Sequence, residues 1–204
     1  MSGLTIIGGT LKGKRLFSPK GMGVRPTSGR VREALFNILM NEIEGAIVAD
    51  LFAGTGAMAI EALSRGAARA VLIDNHPASL AVIEKNLAAC RLQAAATLIR
   101  YDATRDLACL KSSGLRFDLV FMDPPYKSGA TGRVLANLHA CGVLAPGAWV
   151  AAEHPDRPPL DDGEWNRLPF TLAGRRRYGK TLVSFFRYMI ENPEDDGTTP
   201  LLLP

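Results

Sequence analysis

A chain of 204 residues, 47% hydrophobic and 22% charged, has the size and composition of one soluble domain with a full core. No apolar run approaches the roughly 18 residues that cross a bilayer. Met1-Ser2-Gly3-Leu4-Thr5 lacks the charged start and apolar stretch of a secretory leader, so a cytoplasmic protein with no membrane partner is expected. Cys90, Cys109 and Cys141 are widely spaced and form no C-x-x-C pair, which argues for buried thiols and against a metal site or disulfide framework. The net charge of +4 is unevenly spread. Residues 1–41 carry Lys12, Lys14, Arg15, Lys20, Arg25, Arg30 and Arg32 against one acid, Glu33, while the rest is slightly acidic. A polyanion would be expected to dock on that arm; a solvated basic face is the plainer alternative.

In chain order, residues 4–17 read as a strand pair broken by Gly8-Gly9 and Lys12-Gly13-Lys14. A Gly- and Pro-rich loop from Pro19 to Pro26 follows, and Thr27 or Ser28 is a candidate cap for a helix to about Met40. Val31, Leu35, Ile38 and Leu39 share one face of that helix; Arg30, Glu33 and Asn37 lie on another, open to a ligand. Next come a buried strand at Ile47–Phe52, a helix at Ala57–Arg65 stopped by Gly66, and a strand at Arg69–Asp74. Asn75 or His76 caps a helix with Pro77 in its first turn and Leu80, Ile83 and Leu87 on its apolar face. Strands follow at Thr97–Tyr101, Phe117–Met122 and Gly147–Glu153, with a helix near Arg133–Cys141, then a closing hairpin from Trp165–Leu172 and Thr181–Tyr188. Alternating strands and helices predict an α/β fold with a mostly parallel sheet covered by helices on both faces. The tail Glu191–Pro204 has four acids and no basic residue and is expected to be disordered.

Asp50-Leu51-Phe52-Ala53-Gly54-Thr55-Gly56 falls where a strand ends and a helix begins, where glycines allow a sharp turn and close approach to a ligand. Asp74 ends the next strand, placed to accept from both hydroxyls of a ribose. The spacing Gly54-x-Gly56-x-x-Ala59 also fits a dinucleotide turn, but Asp50 would repel a pyrophosphate and suits the ammonium and sulfonium charges of S-adenosylmethionine. Tyr101-Asp102-Ala103 ends the third strand, where Asp102 could accept from an adenine amino group. Ordinary caps and solvent-facing acids at strand ends are the competing reading for all three. His76 and His154 have no sequence partner that suggests catalysis.

Asp123-Pro124-Pro125-Tyr126, directly after an apolar strand, is the strongest signal. Two prolines fix φ and remove two donors, leaving a rigid turn that presents acceptors. An exocyclic base amine is a poor nucleophile because its lone pair is delocalised. A carboxylate and a carbonyl accepting its two N–H groups would hold the nitrogen toward pyramidal geometry, a matter of position and electrostatics. Tyr126 offers a flat face on which a flipped base could stack. A rigid proline turn with a core tyrosine is the alternative.

These strings together resemble a Rossmann-like class I methyltransferase, and in particular the RsmD family of bacterial 16S ribosomal RNA guanine-N2 methyltransferases. The more particular matches are Ile6-Ile7-Gly8-Gly9 with Lys12-Gly13-Lys14-Arg15-Leu16, and Arg25-Pro26-Thr27 with Arg30-Val31-Arg32-Glu33-Ala34-Leu35-Phe36-Asn37. Glu61-Ala62-Leu63-Ser64-Arg65-Gly66-Ala67 also matches, and coverage runs from about residue 5 to about 188. The resemblance implies a seven-stranded sheet with the last strand antiparallel, and a small N-terminal hairpin and helix extension over 1–41 that docks RNA. A methyltransferase domain over 42–190 and an acidic tail over 191–204 would follow. It implies S-adenosylmethionine as cofactor, with no metal, contacted by Asp50, Ala53, Gly54, Gly56, Asp74, Asn75, Asp102 and Ala103. Asp123, Pro124, Pro125 and Tyr126 carry over to the target amine and base. Lys12, Lys14, Arg15, Arg25, Thr27, Arg30 and Arg32 go to the RNA side or, for the last four, to the cofactor cleft wall. The implied reaction methylates N2 of guanine-966 in 16S rRNA of the small ribosomal subunit, by a monomer. Arg175-Arg176-Arg177-Tyr178-Gly179-Lys180 is a second phosphate contact or a solvated hairpin.

Three alternatives make different demands. A nicotinamide-dependent oxidoreductase needs neither Asp123-Pro124-Pro125-Tyr126 nor the basic arm. A DNA adenine-N6 or cytosine-N4 methyltransferase would need a target-recognition domain, and only about 46 residues precede the first sheet strand. A non-catalytic RNA-binding factor on the same fold would have lost Asp123 or the glycines, which are all present.

Overall fold

The computed structural model describes residues 4–18, 29–125, 130–155, 165–179 and 181–190. Two compact units divide the chain, Met1–Ala103 and Thr104–Pro204.

The first unit opens on a short hairpin. Thr5 pairs with Arg15 in a single antiparallel bridge. The Ile6 N–H donates to the Lys14 carbonyl (2.9 Å), and the Gly13 N–H to that of Ile6 (2.9 Å). The expected strand pair over 4–17 is therefore one bridge closed by a 3-10 turn at Gly9–Leu11, because Gly9 and Gly13 at positive φ bend the chain too tightly for a ladder. Helix α1 (Gly29–Ile38) buries Val31, Arg32, Leu35 and Phe36, while Arg30, Glu33 and Asn37 are exposed. Its expected caps, Thr27 and Ser28, lie outside the described residues, as does the Pro19–Pro26 loop.

Strand β1 (Ile47–Asp50), helix α2 (Ala57–Ser64), strand β2 (Arg69–Asp74), helix α3 (Pro77–Cys90) and strand β3 (Ala96–Arg100) follow within a few residues of expectation. The strands are parallel, β1 on β2 and β2 on β3, with Asp50 beside Leu72 and Asp74 beside Arg100. β1 and β2 are almost wholly buried, as strands covered on both faces must be. His76 caps α3, its Nδ1 accepting from the Ala78 N–H at 3.3 Å, with Pro77 at the first position where no donor is needed.

The second unit contains helix α4 (Ala108–Lys111), strand β4 (Phe117–Met122), helix α5 (Ala130–Cys141), strand β5 (Leu144–Pro155), strand β6 (Phe170–Tyr178) and strand β7 (Thr181–Tyr188). α4 is too short to leave a helical period in the sequence. β5 lies parallel to β4, and β7 runs antiparallel to both β5 and β6. The seven strands form a mostly parallel sheet in the order β3-β2-β1-β4-β5-β7-β6. Placing the penultimate strand at Trp165–Leu172 was too early. Trp165 is instead a buried anchor edge-on to Phe186, with ring centroids 5.1 Å apart, and the strand carries Arg175, Arg176 and Arg177. The expected arginine-bearing turn is thus mostly strand, closed by Gly179 at positive φ; Lys180 lies outside the described residues. The tail 191–204 also lies outside them. Of the three unpaired cysteines only Cys90 is buried; Cys109 and Cys141 are half-exposed, which corrects the expectation of three buried thiols. No described helix is long and apolar enough to cross a membrane.

Candidate active site

Where β1 ends, the chain turns through Ala53–Gly56 before α2 begins. The Ala53 N–H donates to the Ile73 carbonyl (3.0 Å) and the Gly56 N–H to that of Ala53 (2.6 Å). Gly54 and Gly56 have φ of +54° and +76°, a region that L side chains avoid. A Cβ on Gly56 would also stand 3.1 Å from Leu72 Cδ2. Both the turn and its packing therefore require glycine there.

Two acids organise this turn. Asp74, at the end of β2, accepts the Gly54 N–H through Oδ2 (2.8 Å) and the His76 N–H through Oδ1 (2.8 Å). One carboxylate thus fixes the glycine turn and the start of α3 together, and each oxygen keeps a lone pair for a further donor. Asp50 is buried, its Oδ2 accepting from the Ala59 N–H at 3.3 Å. Burial pushes its carboxyl up to about 7, Asp74 adds to the rise, and the Ala59 N–H works against it. Asn75 is exposed beside Asp74, Asp102 is half-buried past the end of β3, and Ala103 is buried.

The hairpin is fastened to the helix that follows this turn. Glu61 of α2 is fully buried and accepts from the Ile7 N–H (2.8 Å), the Gly8 N–H (2.7 Å) and Arg65 Nε (2.8 Å). Its fourth neighbour is Arg32, Nε 3.6 Å away and 2% exposed, which also donates to the Thr5 carbonyl. Ser64 donates to the Gly8 carbonyl (2.7 Å) and accepts from the Leu11 N–H (2.9 Å). Of the arm's cations, Lys12, Arg15 and Arg30 are exposed and Lys14 is half-exposed. Arg32 departs from expectation: it is an interior ion-pair residue, not a side chain presented to a polyanion. Helical spacing carries the signal, since Arg32 shares its face with Leu35, Phe36 and Leu39 at i+3, i+4 and i+7. Arg25 and Thr27 lie outside the described residues. Glu61 and Ser64 stand in a string that the resemblance matches but were given no role there, and a buried amide on α3, Asn86, was not singled out; the Glu61–Arg65 spacing of i, i+4 is the one local signal of a pair.

In the second unit, β4 delivers Asp123-Pro124-Pro125 immediately after Met122. Asp123 is half-buried, Pro124 buried and Pro125 exposed; Tyr126 lies outside the described residues. The two prolines carry no N–H, so at these two positions the corner can only accept hydrogen bonds. Among the described residues no group of three or more His, Cys, Asp or Glu could hold a metal ion.

Strand order, glycine turn and strand-end acids are those of a Rossmann-like class I methyltransferase fold. The solved structure of Escherichia coli yhhF superposes with a TM-score of 0.78 at 32% identity, covering 93% of this chain and all of that one. TrmN from Thermus thermophilus matches in fold alone, with a TM-score of 0.61 at 23% identity over 78% of this chain and 48% of that one. The family described as conserved hypothetical protein 95 matches residues 4–187. Ribosomal RNA small subunit methyltransferase D of Escherichia coli is 36% identical over 177 residues, 86% of this chain and 87% of that protein. Its Haemophilus influenzae counterpart is 30% identical over 83% of this chain and 88% of its own length. The chain belongs to this family of ribosomal RNA small subunit methyltransferase D proteins.

Proposed function

We propose that this chain transfers a methyl group from S-adenosylmethionine to the exocyclic N2 amine of guanine-966 in 16S rRNA. The observation that carries the reading is near-full-length similarity to ribosomal RNA small subunit methyltransferase D of Escherichia coli, in a chain that keeps both strand-end motifs. The residues of the first motif fit the cofactor. Gly54 and Gly56 leave room for close approach, Asp74 has lone pairs for a ribose, and Asp50 offers a buried carboxyl to a cation. When bound, S-adenosylmethionine supplies an electrophilic methyl on a positively charged sulfur.

The protein's share of the chemistry is to hold the amine. Asp123 and the carbonyl oxygens of the proline corner accept the two N–H bonds, which turns the nitrogen lone pair toward the methyl carbon. With the cofactor bound, that lone pair would displace the sulfur, which would keep the C–S pair, and Asp123 would take the amine proton directly or through water. Tyr126 stacks on the base. In this reading residues 1–41 form an RNA-docking extension to the methyltransferase domain at 42–190, and the docking residues are Lys12, Lys14, Arg15, Arg25, Thr27 and Arg30.

The deciding experiment is transfer of labelled methyl to small ribosomal subunits from a strain lacking the gene, followed by nucleoside analysis. N2-methylguanosine at one position is the expected product. A methylated adenine or cytosine, or a label incorporated only into DNA, would overturn the assignment.

A further inference from the structure

Phe17 closes the described part of the hairpin. Four large hydrophobic side chains are exposed among the described residues: Phe17 at 56%, Met40, Met189 and Ile190. Isolated exposed apolar residues are ordinary and by themselves mean nothing. Phe17 differs in being aromatic and in how its backbone is held. Its N–H donates to Asn86 Oδ1 (2.7 Å), and its carbonyl accepts from Asn86 Nδ2 (3.1 Å). The same Nδ2 donates to the Thr55 carbonyl in the glycine turn (2.9 Å). Asn86 is fully buried, and this arrangement employs both its donor hydrogens and its acceptor, as a buried amide requires.

The clamp does the work of a neighbouring strand, and it fixes which way residue 17 faces. Leu16 points inward and is buried, so Phe17 is turned out. Arg15, two residues back, is exposed on that same outer side, about 7 Å along an extended chain. Lys12 is exposed and Lys14 half-exposed on the same hairpin, and residues 4–18 contain no acid. An outward-held, uncharged ring on a hairpin whose only charges are cationic matches a ligand that alternates flat faces with negative charge. An unpaired stretch of nucleic acid has that chemistry; a lipid surface would call for a wider apolar patch, and an acidic peptide has no use for the ring.

We propose that Phe17 is a stacking platform for an unpaired base of the RNA substrate, held outward by Asn86, with Arg15 on an adjoining phosphate. This rests on the reading that the substrate is RNA. The test uses the full chain and a fluorescein-labelled 16S rRNA fragment with an unpaired loop, with RNA binding followed by anisotropy and S-adenosylmethionine binding by calorimetry. Phe17→Ala and Phe17→Leu should each weaken RNA binding about 5- to 140-fold, the range of one base–aromatic stack. The salt dependence and the cofactor affinity should stay as in the unaltered protein. Phe17→Trp should bind at least as well, and RNA should quench the added indole fluorescence, measured against the unaltered protein with its buried Trp149 and Trp165. Arg15→Gln should lower the salt slope by about one. Unchanged binding by Phe17→Leu, or an indole at position 17 that RNA does not quench, overturns the stacking role. If the unaltered protein binds cofactor but no RNA, the RNA reading fails first.

Discussion

Two strand ends, one in each unit, obey the same rule with opposite results. β1 and β4 are both largely buried strands; β1 finishes on Asp50, and Asp123 follows directly on the last residue of β4. After Asp50 come glycines at positive φ; the Gly54 N–H donates to the Asp74 carboxylate and the Gly56 N–H to the Ala53 carbonyl. After Asp123 come two prolines with no N–H at all. The first corner is built of donors and acids that hold one another; the second, at its prolines, offers acceptors only. A cationic cofactor suits the first, and an amine with two hydrogens suits the second. The residues chosen after the aspartate, more than the aspartate itself, set what each corner can hold.

The comparison can be broken at several points. The largest effect should come from Glu61→Ala, because the first corner leans on an anchored hairpin. It leaves Arg32 buried without its partner and two backbone donors unanswered, a loss of about 3–5 kcal/mol by chemical denaturation. A smaller loss, under about 1 kcal/mol, would mean the hairpin is dispensable to the unit. Next, Asp123→Asn keeps the shape but trades an acceptor for a donor. We expect kcat to fall about 100- to 1000-fold while cofactor affinity changes by no more than a few fold; normal turnover would remove the acceptor argument. Gly56→Ala should cost about 1–2 kcal/mol of stability and weaken cofactor binding, through φ of +76° and the Leu72 contact, without touching RNA affinity.

The smallest effect is in pH. Asp50 titrates at about 7 when folded and near 3.8 when unfolded, so the folded chain holds the extra proton. Its contribution to stability is present at low pH and is lost as pH rises from about 4 to about 7. A cofactor cation beside it would favour the ionised form, so affinity should rise up to about tenfold per pH unit below 7, and level off above. Asp50→Asn should flatten both profiles; an unaltered slope of stability would place the titration elsewhere.

The elements that position these corners were legible because they leave local marks. Glycines and acids at strand ends, Pro77 at a helix start, and apolar runs of strand length all act over a few residues. The polar clamps left none. Glu61 meets Ile7 and Gly8 across more than fifty residues, and Asn86 meets Phe17 across sixty-nine, so no window could hold both partners. Arg32 was legible in principle, one face over from where its charge suggested. The misplaced strand has a different cause. Among the described residues β6 is paired on one side only, so its residues need not alternate between apolar and polar, and the apolar residues before it attracted the assignment.

That same strand has a consequence for the molecule's behaviour at high concentration. A sheet border unpaired among the described residues, next to an interior strand as apolar as β7, is a template on which a second molecule could add its own strand. Arg175 and Arg177 are exposed on it, Arg175 anchored through Nε to Ser184 Oγ (3.1 Å), and the shift of register between Leu172 and Gly174 bends its line. Guanidinium repulsion and a crooked border together make self-association along this side unfavourable, so the arginines guard solubility whether or not they ever meet a phosphate.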